Sequence, residues 1–107
     1  MPTIRIDFDG DKVKKKEVLA LSNAAQKIVS EATKIEDVFV YANSSQIRVK
    51  IAPVELYVEM SKHKIKDLDK LFNQIKSGIS NWKKQNKFSH QINFTLIPMK
   101  WKFDIDI

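Results

Sequence analysis

The chain of 107 residues contains no cysteine, only two glycines and only three prolines. The absence of cysteine excludes disulfides, a thiol nucleophile and thiolate metal sites. The scarcity of glycine and proline argues against long flexible linkers, and no apolar run approaches the length of a membrane span. Because the first residues also lack the apolar core of a signal peptide, we expect a single cytoplasmic domain without membrane contact.

Acidic residues are fewer than basic ones. The chain has 19 Lys and Arg against 13 Asp and Glu, which gives a net charge of +6 and a pI near 9.6. Such a surface attracts anions, which include nucleic acids and small carboxylates or phosphates. A lysine-rich solvated surface without a defined ligand has the same composition, so charge alone leaves these alternatives open.

Metal and nucleotide sites have little support in the sequence. The two histidines, His63 and His90, have no carboxylate at a metal-ligand spacing. No glycine-rich loop is present to hold a phosphate. We therefore expect no metal and no cofactor. Glu55 and Glu59 share one strand face, but paired carboxylates of this kind are more often solvated than catalytic.

The first eight residues predict a half-buried strand, because Ile4, Ile6 and Phe8 alternate with polar side chains. Pro2 directly follows Met1, and removal of methionine before proline is usual. Pro2 would then carry a secondary amine. In an apolar pocket, desolvation would lower the pKa of such an amine toward neutrality, so that it could take a proton from carbon and return it. The competing interpretation is structural, since proline is tolerated at the first residue of a strand.

Two amphipathic helices follow from the spacing of apolar residues. After a turn at Asp9–Asp11, with Asp11 as a candidate N-cap, the first helix is predicted to end near Thr33. A second apolar stripe runs from Ile65 to Trp82, with aspartates near its start and lysines near its end, as the helix dipole prefers. Gly78 in its middle is expected to weaken this helix by about 1 kcal/mol relative to alanine.

Short alternating or β-branched runs predict the remaining strands, which are Val38–Tyr41, Val54–Met60, Gln91–Ile97 and the tail Trp101–Ile107. Asn43–Ser45 is a predicted turn, and Gln46–Ile51 is either a hairpin arm or an extended connection. Pro98 is expected to end or kink the strand before it. Because the tail has one apolar face, it can pair with its own sheet or with a neighbouring subunit, and we favour the neighbouring subunit in a closed oligomer.

The order of elements predicts an α/β (α+β) fold built from two βαβ halves, about residues 1–51 and 52–107, within one domain. The apolar positions of Pro2–Phe8 recur in register in Val54–Met60, so the halves repeat a pattern rather than residues. Two helices are expected to cover one face of a four-stranded sheet, with an extra C-terminal strand.

The Met1-Pro2 opening of a strand and the double βαβ layout over the whole chain resemble the tautomerase superfamily. That superfamily includes 4-oxalocrotonate tautomerase, 5-carboxymethyl-2-hydroxymuconate isomerase and macrophage migration inhibitory factor, and the layout is most similar to an uncharacterised bacterial branch of it. The resemblance implies a homotrimer in which the sheets line a central barrel. It also implies that an amino-terminal proline, here Pro2, acts as general base or acid on keto–enol substrates.

The resemblance further implies substrate-binding residues. Lys34 falls where macrophage migration inhibitory factor has a substrate-facing lysine, and Asn93 falls where that protein has a pocket asparagine. The arginine pairs that bind dicarboxylates in 4-oxalocrotonate tautomerase have no counterpart. Arg5 lies on the strand face opposite Pro2. Arg48, or a lysine from a neighbouring subunit, would therefore supply positive charge to the site.

Three functions remain open. The first is proton transfer on a small carbonyl-containing acid, with Pro2 as base and with Lys34 and Arg48 holding a carboxylate or an enolate oxygen. The second is a non-catalytic protein of the same fold. The third is a basic nucleic-acid-binding βαββαβ module, which the charge favours but which lacks the glycine–aromatic signature of RNA-binding sheets.

Overall fold

One mixed sheet with two helices organises the chain, and the computed structural model describes residues 1–107. The strands are β1 (Thr3–Phe8), β2 (Phe39–Ser44), β3 (Val54–Ser61) and β4 (Ile92–Met99), and the helices are α1 (Lys15–Thr33) and α2 (Leu68–Gln85). The sheet has the order β2-β1-β3-β4. β1 pairs parallel with β2, β3 pairs parallel with β4, and the two pairs are joined by the antiparallel β1–β3 contact. The predicted α+β architecture with two βαβ units is confirmed.

Alternation along the central strands decides which sheet face is buried. Ile4 and Ile6 of β1 are fully buried, as are Leu56 and Val58 of β3, whereas the residues between them face outward. The helices add Leu21, Ala25, Val29, Leu71, Ile75 and Ile79 to the same cluster. The hydrophobic core therefore lies between the sheet and the two helices, as predicted. Neither helix combines the length and the apolarity that a membrane crossing requires.

The N-cap residue of α1 differs from the one that the sequence predicted. Asp11 is not the N-cap of α1: the helix begins at Lys15, with Lys14 in the N-cap position. The prediction was wrong because Asp9 holds the chain in a turn first, accepting the Asp11 backbone N–H at 3.0 Å. That turn buries Val13 before the helix starts. In α2, Asp67 is the N-cap, and its carboxylate accepts the backbone N–H of Lys70 at 3.1 Å.

The second strand is displaced from its predicted position. β2 begins at Phe39 and continues through Asn43 and Ser44, which the sequence placed in a turn. Pairing with β1 explains the difference, because the register extends from Thr3 opposite Phe39 to Phe8 opposite Ser44. Gln46–Ile51 is not a hairpin arm, because it forms no strand, and the chain bends at four of its six residues.

The C-terminal third contains two corrections. β4 does not end before Pro98 but continues to Met99, which is possible because β4 is an edge strand and its outer side needs no donor. The predicted extra strand at Trp101–Ile107 is wrong for the single chain, because the tail forms no strand. The tail pairs with no strand of the sheet, and its side chains Phe103, Ile105 and Ile107 remain exposed.

Gly78 marks the close approach of the two helices rather than a weak point in α2. A Cβ atom at this position would lie 2.7 Å from Cγ2 of Ile28 on α1. The missing side chain therefore allows the helices to pack, and this contact offsets the lower helix propensity of glycine.

We expect Gly78→Val to lower the free energy of unfolding by about 2 kcal/mol, because the added methyl groups overpack the contact with Ile28. Ser80→Val is the matched control, since Ser80 is an exposed position of the same helix. Urea denaturation of both variants measures the difference. Equal stability of the two variants would show that the helix contact tolerates a side chain.

Glu17 joins the start of α1 to the segment before β4. One carboxylate oxygen accepts the backbone N–H of Lys14 at 3.0 Å, and the other lies 3.1 Å from Nε2 of His90. The hydrogen bond from Lys14, opposed by partial desolvation and supported by His90, lowers the pKa of the Glu17 carboxyl. His90 in turn packs edge-on against Phe88, with 5.3 Å between ring centroids.

Glu17→Gln is expected to remove a pH-dependent part of the stability. A pKa that is lower in the folded chain stabilises the fold above the unfolded-state pKa, and this contribution is lost as the pH falls through the folded value. The difference in Tm between wild type and Glu17→Gln should therefore shrink from about pH 6 to about pH 3. Glu36→Gln, at an exposed loop carboxylate, is the control. A Tm difference that stays constant over this range would contradict the expectation.

Candidate active site

Two connections of the chain meet at the end of the sheet where β1 begins. Because β2 is parallel to β1, the connection that follows α1 returns to this end before β2 starts. Because β3 is antiparallel to β1, it ends here and leads through a short 3₁₀ turn at Lys62–Lys64 into α2. We call this the Pro2 end of the sheet, and the opposite one the Phe8 end.

A cavity of about 540 Å³ lies at the Pro2 end, between the last turn of α1 and the first turn of α2. Four of the residues that line it are lysines, namely Lys34, Lys64, Lys66 and Lys70. Asp67 is the one acidic residue of the lining, and Ile65 and Leu71 give it apolar surface. We call this the lysine cavity.

The charges of the lysine cavity are not compensated within the chain. None of its four lysines, all of them exposed, lies within ion-pair distance of a carboxylate, and the same holds for every other lysine of the chain. One oxygen of its single carboxylate, on Asp67, accepts the backbone N–H of Lys70. Neighbouring ammonium groups without partners repel one another and attract anions. The cavity can therefore hold a carboxylate or the oxygen of an enolate.

Lys34 has a left-handed backbone, with φ 61° and ψ 28°, and it ends α1 by donating its N–H to the carbonyl of Ser30. Glycine is the usual residue in this position, because a Cβ atom makes the left-handed conformation cost about 1 kcal/mol. Lys87 has the same type of backbone, φ 52°, just after α2. At Lys34 the lysine side chain adds charge to the cavity at a cost in stability.

Pro2 lies at the same end of the sheet but does not line the lysine cavity. Its ring is fully buried, and its carbonyl accepts the backbone N–H of Phe39 at 3.2 Å. With Met1 in place the Pro2 nitrogen is an amide and has no basic lone pair. The structure thus brings Pro2 and Lys34 to one end of the molecule without joining them in one pocket.

Arg48 and Asn93 lie at the Phe8 end, where β2 ends and where β3 and β4 begin. Arg48 Nη1 donates to the carboxylates of Asp9 at 2.8 Å and Asp11 at 2.9 Å. Asn93 donates to Glu55 at 2.8 Å. Neither side chain meets Pro2 or Lys34 within one chain. The four predicted site residues are therefore divided between opposite ends of the sheet.

The sequence did not identify Lys64, Lys66 and Lys70 as members of a site. They belong to basic runs that are typical of solvated helix ends. They also lie about thirty or more residues after Lys34 in the sequence, so nothing local connects them with it. The signal that could have found them is topological. A strand antiparallel to β1 must deliver the residues that follow it to the same end as the residues that follow α1.

Comparison by sequence finds no matching protein-family model and no matching curated protein. Comparison by structure finds similarity to 5-carboxymethyl-2-hydroxymuconate delta-isomerase, with a TM-score of 0.73 and 10% identity over 100% of this chain and 88% of that chain. A macrophage migration inhibitory factor-like protein from Entamoeba histolytica matches with a TM-score of 0.67 and 15% identity, over 96% and 95% of the two chains. The chain has the tautomerase fold.

A third similar structure is a fused 4-OT that forms an asymmetric trimer. Its TM-score is 0.57 at 13% identity, over 90% of this chain and 86% of that chain. The three similarities cover most of each chain, so the predicted tautomerase-like layout is confirmed as a fold. In this tautomerase-fold chain, the lysine cavity lies at the end of the sheet where the first strand begins.

Replacing Lys34 by glycine separates the effect of its charge on anion binding from the effect of its backbone strain on stability. Lys34→Gly and Lys87→Gly should each raise the free energy of unfolding by about 0.5–1 kcal/mol, because glycine adopts the left-handed backbone without a Cβ clash. Only Lys34→Gly should weaken binding of a small dianion such as maleate, followed by NMR titration. Lys87→Gly is the matched control. Equal maleate affinity in both variants would remove Lys34 from the anion site.

Proposed function

We propose that this tautomerase-fold protein catalyses proton transfer on a small carbonyl-containing acid, with Pro2 as general base. The observation that carries the proposal is the set of unpaired lysines, with Lys34 among them, at the end of the sheet where Pro2 precedes β1. The structural similarity to an isomerase supports the same class of reaction.

The chemistry requires a base and a group that stabilises developing negative charge. The secondary amine of Pro2 would take a proton from the carbon next to a carbonyl, and the electron pair of that C–H bond would move to the carbonyl oxygen as an enolate. Lys34 and its neighbouring lysines would hold this oxygen or the carboxylate of the substrate. Return of the proton to a different atom completes the isomerisation without any oxidant or cofactor.

The base exists only if Met1 is removed. Removal converts the Pro2 nitrogen from an amide to an amine, and it takes away the residue that precedes the buried ring. The burial of the ring also supports the proposal that the Pro2 amine would have a lowered pKa, because a low-dielectric surrounding disfavours the charged form of an amine.

We further propose that the protein is a homotrimer and that Arg48 and Asn93 serve the site of a neighbouring copy. Both lie at the Phe8 end, so they can approach a Pro2 end only from another molecule. The trimer formed by the structurally similar fused 4-OT supports this number of subunits. Arg48 would orient the substrate more than it would add net positive charge to the site, because Asp9 and Asp11 already pair with it.

Nucleic-acid binding has less support than an anionic small molecule. The open face of the sheet, which an RNA platform would use, carries Asp7, Glu55 and Glu59. Its arginine, Arg5, is already paired with Glu59 at 3.0 Å and Asp7 at 3.5 Å. These carboxylates repel a phosphate backbone, so the excess positive charge of the molecule lies elsewhere.

The test combines mass with turnover. The intact mass of untagged protein should lack Met1, and Pro2→Ala should lower kcat by about 10²-fold or more, as expected for loss of a general base. The assay is the enol–keto conversion of a panel of small 2-oxo acids, followed by ultraviolet absorbance.

An uncleaved amino-terminal extension provides the matched control, because it keeps the Pro2 ring but blocks its amine. It should abolish turnover as Pro2→Ala does, while Lys34→Ala should chiefly raise KM. Full turnover in either the Pro2→Ala or the blocked protein would remove the proline mechanism. A native mass that includes Met1 would do the same and would leave a non-catalytic protein of this fold.

A further inference from the structure

A second concentration of positive charge lies away from the lysine cavity, where α1 begins and α2 ends. Since α1 leads from β1 to β2 and α2 leads from β3 to β4, the two helices run antiparallel and meet in this way at the Phe8 end. We call this surface the basic helix end. Its lysines precede or open α1 and close or follow α2, and they are Lys12, Lys14, Lys15, Lys16, Lys83, Lys84 and Lys87.

The carboxylates that lie closest in sequence to the start of α1 have partners other than these lysine side chains. Asp9 and Asp11 pair with Arg48, at 2.8 Å and 2.9 Å. Glu17 accepts the backbone N–H of Lys14 and lies 3.1 Å from Nε2 of His90. The basic helix end therefore keeps a high density of positive charge, which attracts polyanions.

The basic helix end differs from the lysine cavity because it contains aromatic surface. A cavity of about 280 Å³ lies between the start of α1 and the end of α2. Its apolar lining is Trp82, Phe88 and Ala20, and the lysines in its lining are Lys16 and Lys87. The lining of the lysine cavity has no aromatic residue. An aromatic wall beside ammonium groups matches a ligand that has both a flat ring and negative charge.

Trp82 is fixed by packing but is not fully covered. Its ring packs against the buried Phe88 with 5.4 Å between centroids, and Phe88 packs in turn on His90 at 5.3 Å. Trp82 itself is half-buried and lines the cavity. A ring that is already held in place loses little conformational entropy when a planar group stacks on it.

Asn86 adds a polar group to the same cavity. Its side-chain nitrogen donates to the carbonyl of Trp82 at 2.9 Å, which leaves its side-chain oxygen able to accept a hydrogen bond. The amino group of a nucleobase is a donor of the required kind. Ring, acceptor and ammonium groups thus lie together as a nucleotide requires.

The extent of the charge favours a polymer over a single nucleotide. Two of the seven lysines line the cavity, and the others lie beyond it at the ends of both helices. A small anion meets only a few of these charges at once, whereas linked phosphates meet many. Because paired bases are stacked inside a duplex, only an unpaired base can enter the cavity and stack on Trp82.

We propose that the basic helix end binds single-stranded nucleic acid, with one base stacked on Trp82 and the adjoining phosphates held by the surrounding lysines. The site lies at the opposite end of the molecule from the lysine cavity, and it does not use the acidic open face of the sheet. It uses neither Pro2 nor Lys34, so it goes beyond the proposed proton transfer and does not depend on it.

The first experiment compares two probes on the wild-type protein by fluorescence anisotropy. One is a labelled oligothymidylate of about 12 nucleotides, and the other is an abasic strand with the same number of phosphates. With about four phosphate contacts, the association constant of the oligothymidylate should fall roughly 50-fold between about 50 and 200 mM salt. The abasic strand should bind about tenfold more weakly. Absence of oligothymidylate binding, or equal affinity for both strands, would overturn the proposal.

The second experiment removes the two lysines of the cavity. Lys16→Gln with Lys87→Gln should lower the affinity for oligothymidylate about tenfold at low salt and reduce the salt slope by about 1.4. Lys27→Gln with Lys76→Gln is the matched control, because these exposed lysines lie near the middle of the same helices and the net charge changes equally. Equal losses in the two double variants would show that binding follows net charge, and would overturn the site.

The third experiment observes Trp82 without replacing it. The chain has two tryptophans, Trp82 and Trp101, so the tryptophan fluorescence of Trp101→Phe comes from Trp82 alone. Oligothymidylate should quench this fluorescence through stacking, and the abasic strand should leave it unchanged. Unchanged fluorescence at saturating oligothymidylate would overturn the stacking on Trp82.

Discussion

The antiparallel contact between β1 and β3 is the constraint on which the rest of the structure depends. Each βαβ half brings its two strands parallel, but the central contact turns one half around relative to the other. This reversal determines which connections share an end of the sheet. The residues after α1 meet the residues after β3 at the Pro2 end, and the residues after β1 meet the loop before β3 at the Phe8 end. Both the lysine cavity and the Arg48 contacts with Asp9 and Asp11 are consequences of that geometry.

Period and composition predicted the elements that bury a continuous apolar face. β1 and β3 are central strands whose alternation is complete, and each helix has an unbroken stripe, so local pattern and tertiary packing agree. Predictions failed where pairing overrides local preference. Asn43 and Ser44 are turn formers but lie in β2 because β1 offers them a partner, and Pro98 continues β4 because that strand is an edge. The tail shows the converse, since its strand pattern has no partner in the single chain.

The candidate site was less predictable than the fold for a related reason. A side chain's identity is local, but its neighbours depend on strand direction. Pro2 and Lys34 reach one end of the sheet, and Arg48 and Asn93 reach the other, although the resemblance to the tautomerase superfamily implied that they serve one kind of site. Lys64, Lys66 and Lys70 look like ordinary solvated lysines until the antiparallel contact places them beside Lys34. An anion site made of exposed lysines has no sequence motif, because a lysine from any position of the chain can supply the charge.

Lys34 in its left-handed backbone and the exposed apolar side chains of Gln46–Ile51 and Trp101–Ile107 are features that packing within one chain does not favour. A single chain that minimised its own free energy would favour glycine at Lys34, pair the four cavity lysines with carboxylates and bury Ile47, Val49 and the apolar side chains of the tail. The chain does none of these, yet its core is closed and no buried side-chain polar atom lacks a partner. The unfavourable features are not confined to the lysine cavity, since Lys87 has the same left-handed backbone just after α2. An anion bound in the lysine cavity would reduce the repulsion among its ammonium groups.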